Sequence, residues 1–124
     1  MQTAYSLVIV EDDPDLTRLL ELRLDRDDRL VHSRSFETAI DALAGVRDDC
    51  PDVIICDVGL PMMSGLEALP GLRAACPDAV IVMYTAAPDS ARHAPALGAD
   101  AVVSKEYGPS RLFDHVVELL RRGS

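Results

Sequence analysis

Tryptophan is missing from this 124-residue sequence and aromatic residues make up only 4% of it, so a core drawn from its 48% apolar content must be built from Val, Ile, Leu and Ala. That palette suits strands buried in a parallel sheet. Basic residues are outnumbered and scattered, 12 Lys and Arg against 21 Asp and Glu, for a formal net charge of -9. Such a surface does not grip a phosphate backbone, and no nucleic-acid binding is expected of this chain alone. Cysteine is scarce: Cys50, Cys56 and Cys76 form no C-x-x-C pair and leave an odd count. Neither a disulfide framework nor a zinc site is indicated, and a reducing cytoplasm fits. Long hydrophobic runs are also lacking. The opening MQTAYSLVIV has no charged leader and is far shorter than a membrane span, so neither signal peptide nor membrane anchor is expected. The length fits one compact domain, read here as 1–124.

What is present is an alternation. Strand-length apolar runs fall at YSLVIV (5–10), RLVHS (29–33), DVIIC (52–56), AVIVMY (79–84) and AVVS (101–104). Helical patterns lie between them. The first opens with Asp13 as cap and Pro14 at the first helical position, carrying Leu16, Leu19, Leu20 and Leu24 on one stripe. A second follows Ser35, with Phe36, Ala39, Ile40 and Leu43 at helical spacing. The third, 64–75, contains Pro70-Gly71 and should be kinked or start late. The fourth, 89–97 before Gly98, is the weakest because it holds Pro95. The fifth, 110–122, places Leu112, Phe113, Val116, Val117 and Leu120 on one face. Five strands alternating with five helices imply an α/β fold: a doubly wound parallel sheet with right-handed crossovers. The closing Arg121-Arg122-Gly123-Ser124 reads equally as a chain end or the start of a linker.

In an open α/β sheet, ligands bind beyond the carboxyl ends of the strands. There the sequence puts Glu11-Asp12-Asp13 after strand 1, Asp57 after strand 3, Thr85 after strand 4 and Lys105 after strand 5. Two carboxylates about 5 Å apart repel by about 3 kcal/mol at an effective dielectric of 20, so several together call for a cation. Oxygen donors without a nearby His or Cys point to magnesium. Beside such an ion, Asp57 is placed as the attacking oxygen of a phosphoryl transfer. Lys105 neutralises charge on the moving group and Thr85 donates a hydrogen bond to it.

The segments VIVEDDPDL, VIICDVGLPMMSG, VMYTA and VVSK resemble the receiver domains of two-component response regulators over essentially the whole chain. The resemblance implies a flavodoxin-like sheet of order 2-1-3-4-5. It implies phosphoryl acceptance on Asp57 in a magnesium-dependent reaction, within a frame kept by Asp57, Pro61 and Gly65. The metal ligands it implies are Glu11 and Asp12, with Asp12 the stronger candidate for direct coordination, Asp57, and the backbone carbonyl of Gly59. Thr85 and Lys105 take the switch hydroxyl and phosphate-pairing positions. The implied partners are a histidine kinase or phosphotransfer protein, and either an output domain beyond residue 124 or a second copy meeting the face of helix 4, strand 5 and helix 5. The expected location is the cytoplasm, and the expected role is that of a switch rather than an enzyme. Two departures stand out: Lys105 is followed by Glu106 where the family has proline, and Val102 stands where an aromatic switch residue is frequent.

Taken singly, each of these residues has a plainer reading: Asp57 as a turn or cap, Thr85 as a strand end, Lys105 as surface charge. Their convergence on one sheet edge is what favours a site. His32, His93 and His115 have no metal-ligand spacing, Cys56 reads as a core residue, and Met62, Met63, Tyr84 and Tyr107 read as packing. An aspartyl phosphatase of the haloacid-dehalogenase type would need an acid two residues after its nucleophile, where this chain has Gly59. A flavin site would need a phosphate loop where this chain has acids. A same-fold binding module that is never phosphorylated is the remaining rival.

Overall fold

The computed structural model describes residues 4–123. Residues 1–3 and the terminal Ser124, the ends on which the leader and linker readings partly rest, lie outside the described residues. In chain order the elements are β1 (Tyr5–Val10), α1 (Pro14–Leu24), β2 (Leu30–Phe36), α2 (Ala39–Val46), β3 (Val53–Cys56), α3 (Gly65–Ala75), β4 (Val80–Thr85), a 3₁₀ turn (Pro88–Ala91), α4 (Ala94–Leu97), β5 (Ala101–Ser104) and α5 (Pro109–Arg122). The five strands form one parallel sheet of order β2-β1-β3-β4-β5, as the resemblance implied.

Alternation along the strands feeds two cores. Val8, Val10, Ile54, Cys56, Ile81 and Met83 face α2 and α3, where they meet Ala39, Ala42, Ala68, Leu69 and Leu72. Leu7, Ile9, Val53, Ile55, Val82 and Tyr84 face α1 and α5, meeting Leu20, Leu24, Leu112, Phe113, Val116 and Val117. Both faces being covered is why the central strands read as unbroken apolar runs. Removing such a side chain from water contributes about 1.5–3 kcal/mol.

Local signals set the helix starts. Asp13 caps α1 by accepting from the Asp15 and Leu16 amides at 2.9 and 3.5 Å. Ser64 and Glu67 make a reciprocal capping box on α3. That box starts α3 without delay, and the helix continues through Pro70 to Ala75. The second helix starts later than its apolar spacing suggested: β2 extends through Phe36, and Thr38 caps α2. Two expectations from apolar spacing also need correction, Leu19 on the first helix and Ile40 on the second, since they are 41% and 51% exposed. The weakest helix is shorter than expected, split into the 3₁₀ turn and the single turn of α4.

The cysteines depart furthest from expectation. Cys50, before β3, and Cys76, at the end of α3, are joined in a disulfide with a Cα–Cα separation of 5.6 Å, leaving buried Cys56 as the free thiol. They are 26 residues apart in sequence and meet only because α2 and α3 pack side by side on one sheet face. Cysteine usage therefore no longer speaks for a reducing compartment.

Candidate functional site

The strand register places the polar residues at one edge. Val10 pairs with Cys56, Cys56 with Met83, and Thr85 with Ser104, so the next residues along β1, β3 and β5 emerge side by side. The Asp57 amide bonds the Val10 carbonyl at 2.9 Å, and the Lys105 amide bonds the Thr85 carbonyl at 2.8 Å. Each of these residues thus sits on its neighbour's strand end, on rigid backbone.

The loop after β3 is shaped around Asp57. The Gly65 amide bonds the Val58 carbonyl at 2.8 Å, and a Cβ on Gly65 would lie 2.0 Å from the Asp57 carbonyl oxygen. Only glycine lets the start of α3 approach so closely. The loop also holds Met62 in a left-handed conformation, φ 66°. Met62 is 82% exposed, against the packing expectation, whereas Met63 packs against the core.

At the centre lies Lys105, the only lysine in the sequence; every other residue of that charge is arginine. Its Nζ stands 2.9 Å from Glu11 Oε1 and 3.3 Å from Asp57 Oδ2. Glu11, Asp57 and Thr85 are buried, with 4%, 8% and 4% exposure, at the floor of a rim to which Asp12 contributes an exposed carboxylate. Burial pushes the Glu11 carboxyl up; the Asp57 charge adds to this, while the Lys105 hydrogen bond and the Asp13 amide pull it back. Burial alone would pull Lys105 down, but its bond to Glu11 and the Asp57 charge raise it above the ordinary lysine value. Thr85 Oγ1 accepts from the Ala87 amide at 3.1 Å.

Carboxylate oxygens of Glu11, Asp12 and Asp57 lie within 4.8 Å of one another, the only such acid, His or Cys group among the described residues. A Cβ on Gly59 would be 4.0 Å from Asp57 Oδ2, which sets the Gly59 backbone beside that carboxylate. Oxygen donors alone, with a buried Glu11 destabilised by its neighbour's charge, fit a hard divalent cation such as magnesium.

The candidate site residues thus meet at one edge: Glu11, Asp12, Asp57 and Lys105 through their side chains, Thr85 through the register and Gly59 through its backbone. Cys56 turns away from the site into the core, its thiol pushed up to about 12 by burial and by the charges of Asp57 and Glu11. His32 bonds Ser35 at 2.8 Å on the β2 side. Tyr84 packs in the α1/α5 core as expected, but its hydroxyl also donates to the Tyr107 carbonyl at 2.6 Å, a role the packing reading missed. The available signal was the phenol itself, which needs a partner when buried.

Comparison with known proteins gives a consistent result. The family model described as "Response regulator receiver domain" matches residues 7–117. The transcriptional regulatory protein KdpE of Mycobacterium tuberculosis is 34% identical over 120 residues, covering 95% of this chain and 52% of that protein. The DNA-binding response regulator MtrA of Mycolicibacterium smegmatis is 33% identical, covering 94% of this chain and 50% of that protein. The chain therefore spans about half the length of the curated relatives it matches. Among solved structures, a CheY-like receiver domain protein of Methanospirillum hungatei superposes with a TM-score of 0.87 at 24% identity, covering 98% of this chain and 97% of that one. A LuxR-family response regulator of Aurantimonas gives the same TM-score at 23% identity, covering 96% and 86%. At these identities the two structures speak for the fold alone.

Proposed function

Because the chain belongs to the response regulator receiver domains of two-component systems, we propose that it accepts a phosphoryl group on Asp57 and uses the modified state to shift an equilibrium between two surfaces. The observation that carries this reading is the Lys105 ammonium between Glu11 and Asp57 at the carboxyl edge of the sheet. In the step, an Asp57 carboxylate oxygen attacks the phosphorus of a phosphohistidine or acyl phosphate. The new P–O bond forms as the donor's P–N or P–O bond breaks, and the leaving group keeps the electron pair. Lys105, released from Asp57 as that oxygen enters the acyl-phosphate bond, pairs with the phosphoryl oxygens, and Thr85 offers its hydroxyl to them. Magnesium, which Glu11, Asp12, Asp57 and the Gly59 carbonyl would hold, would neutralise charge at the transferring group.

The donor partner is a histidine kinase or phosphotransfer protein, met in the cytoplasm. Relatives of about twice the matched length are named as transcriptional or DNA-binding regulators, which supports signalling to an output domain or partner through the face of α4, β5 and α5.

The test is to incubate the protein with acetyl phosphate and magnesium and weigh it intact beside Asp57→Asn. One phosphoryl adduct that disappears in the variant is expected. An unmodified wild type would leave the binding module that is never phosphorylated.

A further inference from the structure

β5 is an edge strand, bonded to β4 alone, and the chain leaves it through Lys105, Glu106, Tyr107 and Gly108 on the way to α5. A lysine at the end of such a strand has four side-chain torsions, so the aim of its ammonium depends on how the turn that follows it is held. The turn is closed on itself by the Tyr107 amide on the Ser104 carbonyl at 3.1 Å and the Glu106 amide on Ser104 Oγ at 3.2 Å. No cis peptide occurs among the described residues, and the proline frequent after the lysine in the family is Glu106 here.

One bond fastens this turn back to the sheet interior. The Tyr84 hydroxyl donates to the Tyr107 carbonyl at 2.6 Å across 23 residues of sequence. Tyr84 is 3% exposed, lies beside Thr85 in β4, and its ring belongs to the α1/α5 core. Burial pushes its phenol above the ordinary value, which keeps it protonated and a donor. Phenylalanine would fill the same volume, so packing does not account for the hydroxyl. Lys105 is therefore gripped on both sides, by its own amide on Thr85 and two residues later by Tyr84.

We propose that Tyr84 is a positioning residue for Lys105: its buried hydroxyl, by holding the Tyr107 carbonyl, fixes the turn that aims the ammonium between Glu11 and Asp57. The effect on phosphoryl transfer rests on the receiver reading; the placement of the ammonium does not.

The full chain tests both parts, helped by Lys105 being the sole lysine, so that ¹⁵N-lysine labelling reports one side-chain ammonium. Tyr84→Phe keeps the ring and deletes the hydroxyl. Ammonium hydrogen exchange at Lys105 should speed up roughly fivefold, the factor corresponding to one net hydrogen bond. Tyr107→Ala, which retains the carbonyl, should leave that exchange at the wild-type rate. Unchanged exchange in Tyr84→Phe, or an equal rise in Tyr107→Ala, would overturn the proposal. With acetyl phosphate, Tyr84→Phe should slow adduct formation by a similar factor in the wild-type background and by none in Lys105→Ala. Equal slowing in both backgrounds would mark Tyr84 as merely structural. A wild type that takes no phosphoryl group would sink the receiver reading, while the ammonium measurement would still decide this one.

Discussion

A lysine held between two buried carboxylates sits where each partner compensates the other's burial, and the geometry leaves little slack around it. The same tightness extends to the backbone of Asp57. Gly65 brings the first turn of α3 against the Asp57 carbonyl, where an added Cβ would stand 2.0 Å away. Gly65→Ala should therefore cost about 1–3 kcal/mol, as overpacking does, and should also slow modification of Asp57 by displacing its backbone. Urea unfolding alongside the acetyl phosphate assay checks this, and a variant as stable and reactive as the wild type would refute it. Neither the close approach nor its necessity follows from the spacing of Asp57 and Gly65 alone. The family resemblance marked the glycine, and the structure supplies the reason.

Between elements, two polar ties matter beyond the core. Arg29 bonds Asp27 and, across the molecule, Asp114 of α5, both at 2.9 Å, linking the entry of β2 to the last helix. The Arg29 hydrogen bond holds the Asp27 carboxyl below the ordinary aspartate value of 3.8. A carboxyl depressed in the folded state contributes stability that is full above its unfolded value and is lost as pH falls through the folded one. Wild-type stability should thus decline from about pH 5 downward, and Asp27→Asn should be less stable at neutral pH with a shallower acid-side decline. Parallel acid profiles for the two proteins would contradict this. The second tie is Arg73, which gathers the Gly98 and Ala79 carbonyls and Asp100 around the end of α4. Even so anchored, the single turn of α4 contains Pro95 and exposes Leu97, so it lies near the bottom of the stability range. Hydrogen exchange over 90–97 should be fast in the unmodified protein and should change on phosphorylation. Slow exchange indifferent to phosphorylation would move the signalling surface elsewhere.

For the whole molecule, the Cys50–Cys76 bond is the one covalent link between distant parts of the chain. It lies at the end of the sheet away from Asp57, where α3 finishes. Closing a loop of this length stabilises by about 3.5 kcal/mol in the chain-entropy view. Reduction, or Cys50→Ser, should lower the melting temperature without altering phosphoryl acceptance. An unchanged melting temperature would show that the bond contributes nothing. The buried Cys56, its thiol pushed up to about 12, should resist alkylation until the protein unfolds.

The sequence by itself determined the layered α/β fold, because strands covered on both faces must read as apolar runs and amphipathic helices must alternate with them. It also determined which residues reach the sheet edge, because Glu11, Asp12, Asp57 and Lys105 lie just past strand ends and Thr85 closes β4. What it left open depends on pairs distant in the chain. Local periodicity could not show that β2 outruns its apolar pattern, that Leu19 and Ile40 face outward, or that Met62 stands exposed. Cysteine counting could not see that α2 and α3 bring Cys50 to Cys76. The Tyr84 hydroxyl on the Tyr107 carbonyl was hidden for the same reason: which donor meets which acceptor is decided by the packing of β4 against the turn into α5, and spacing along the chain carries no information about it.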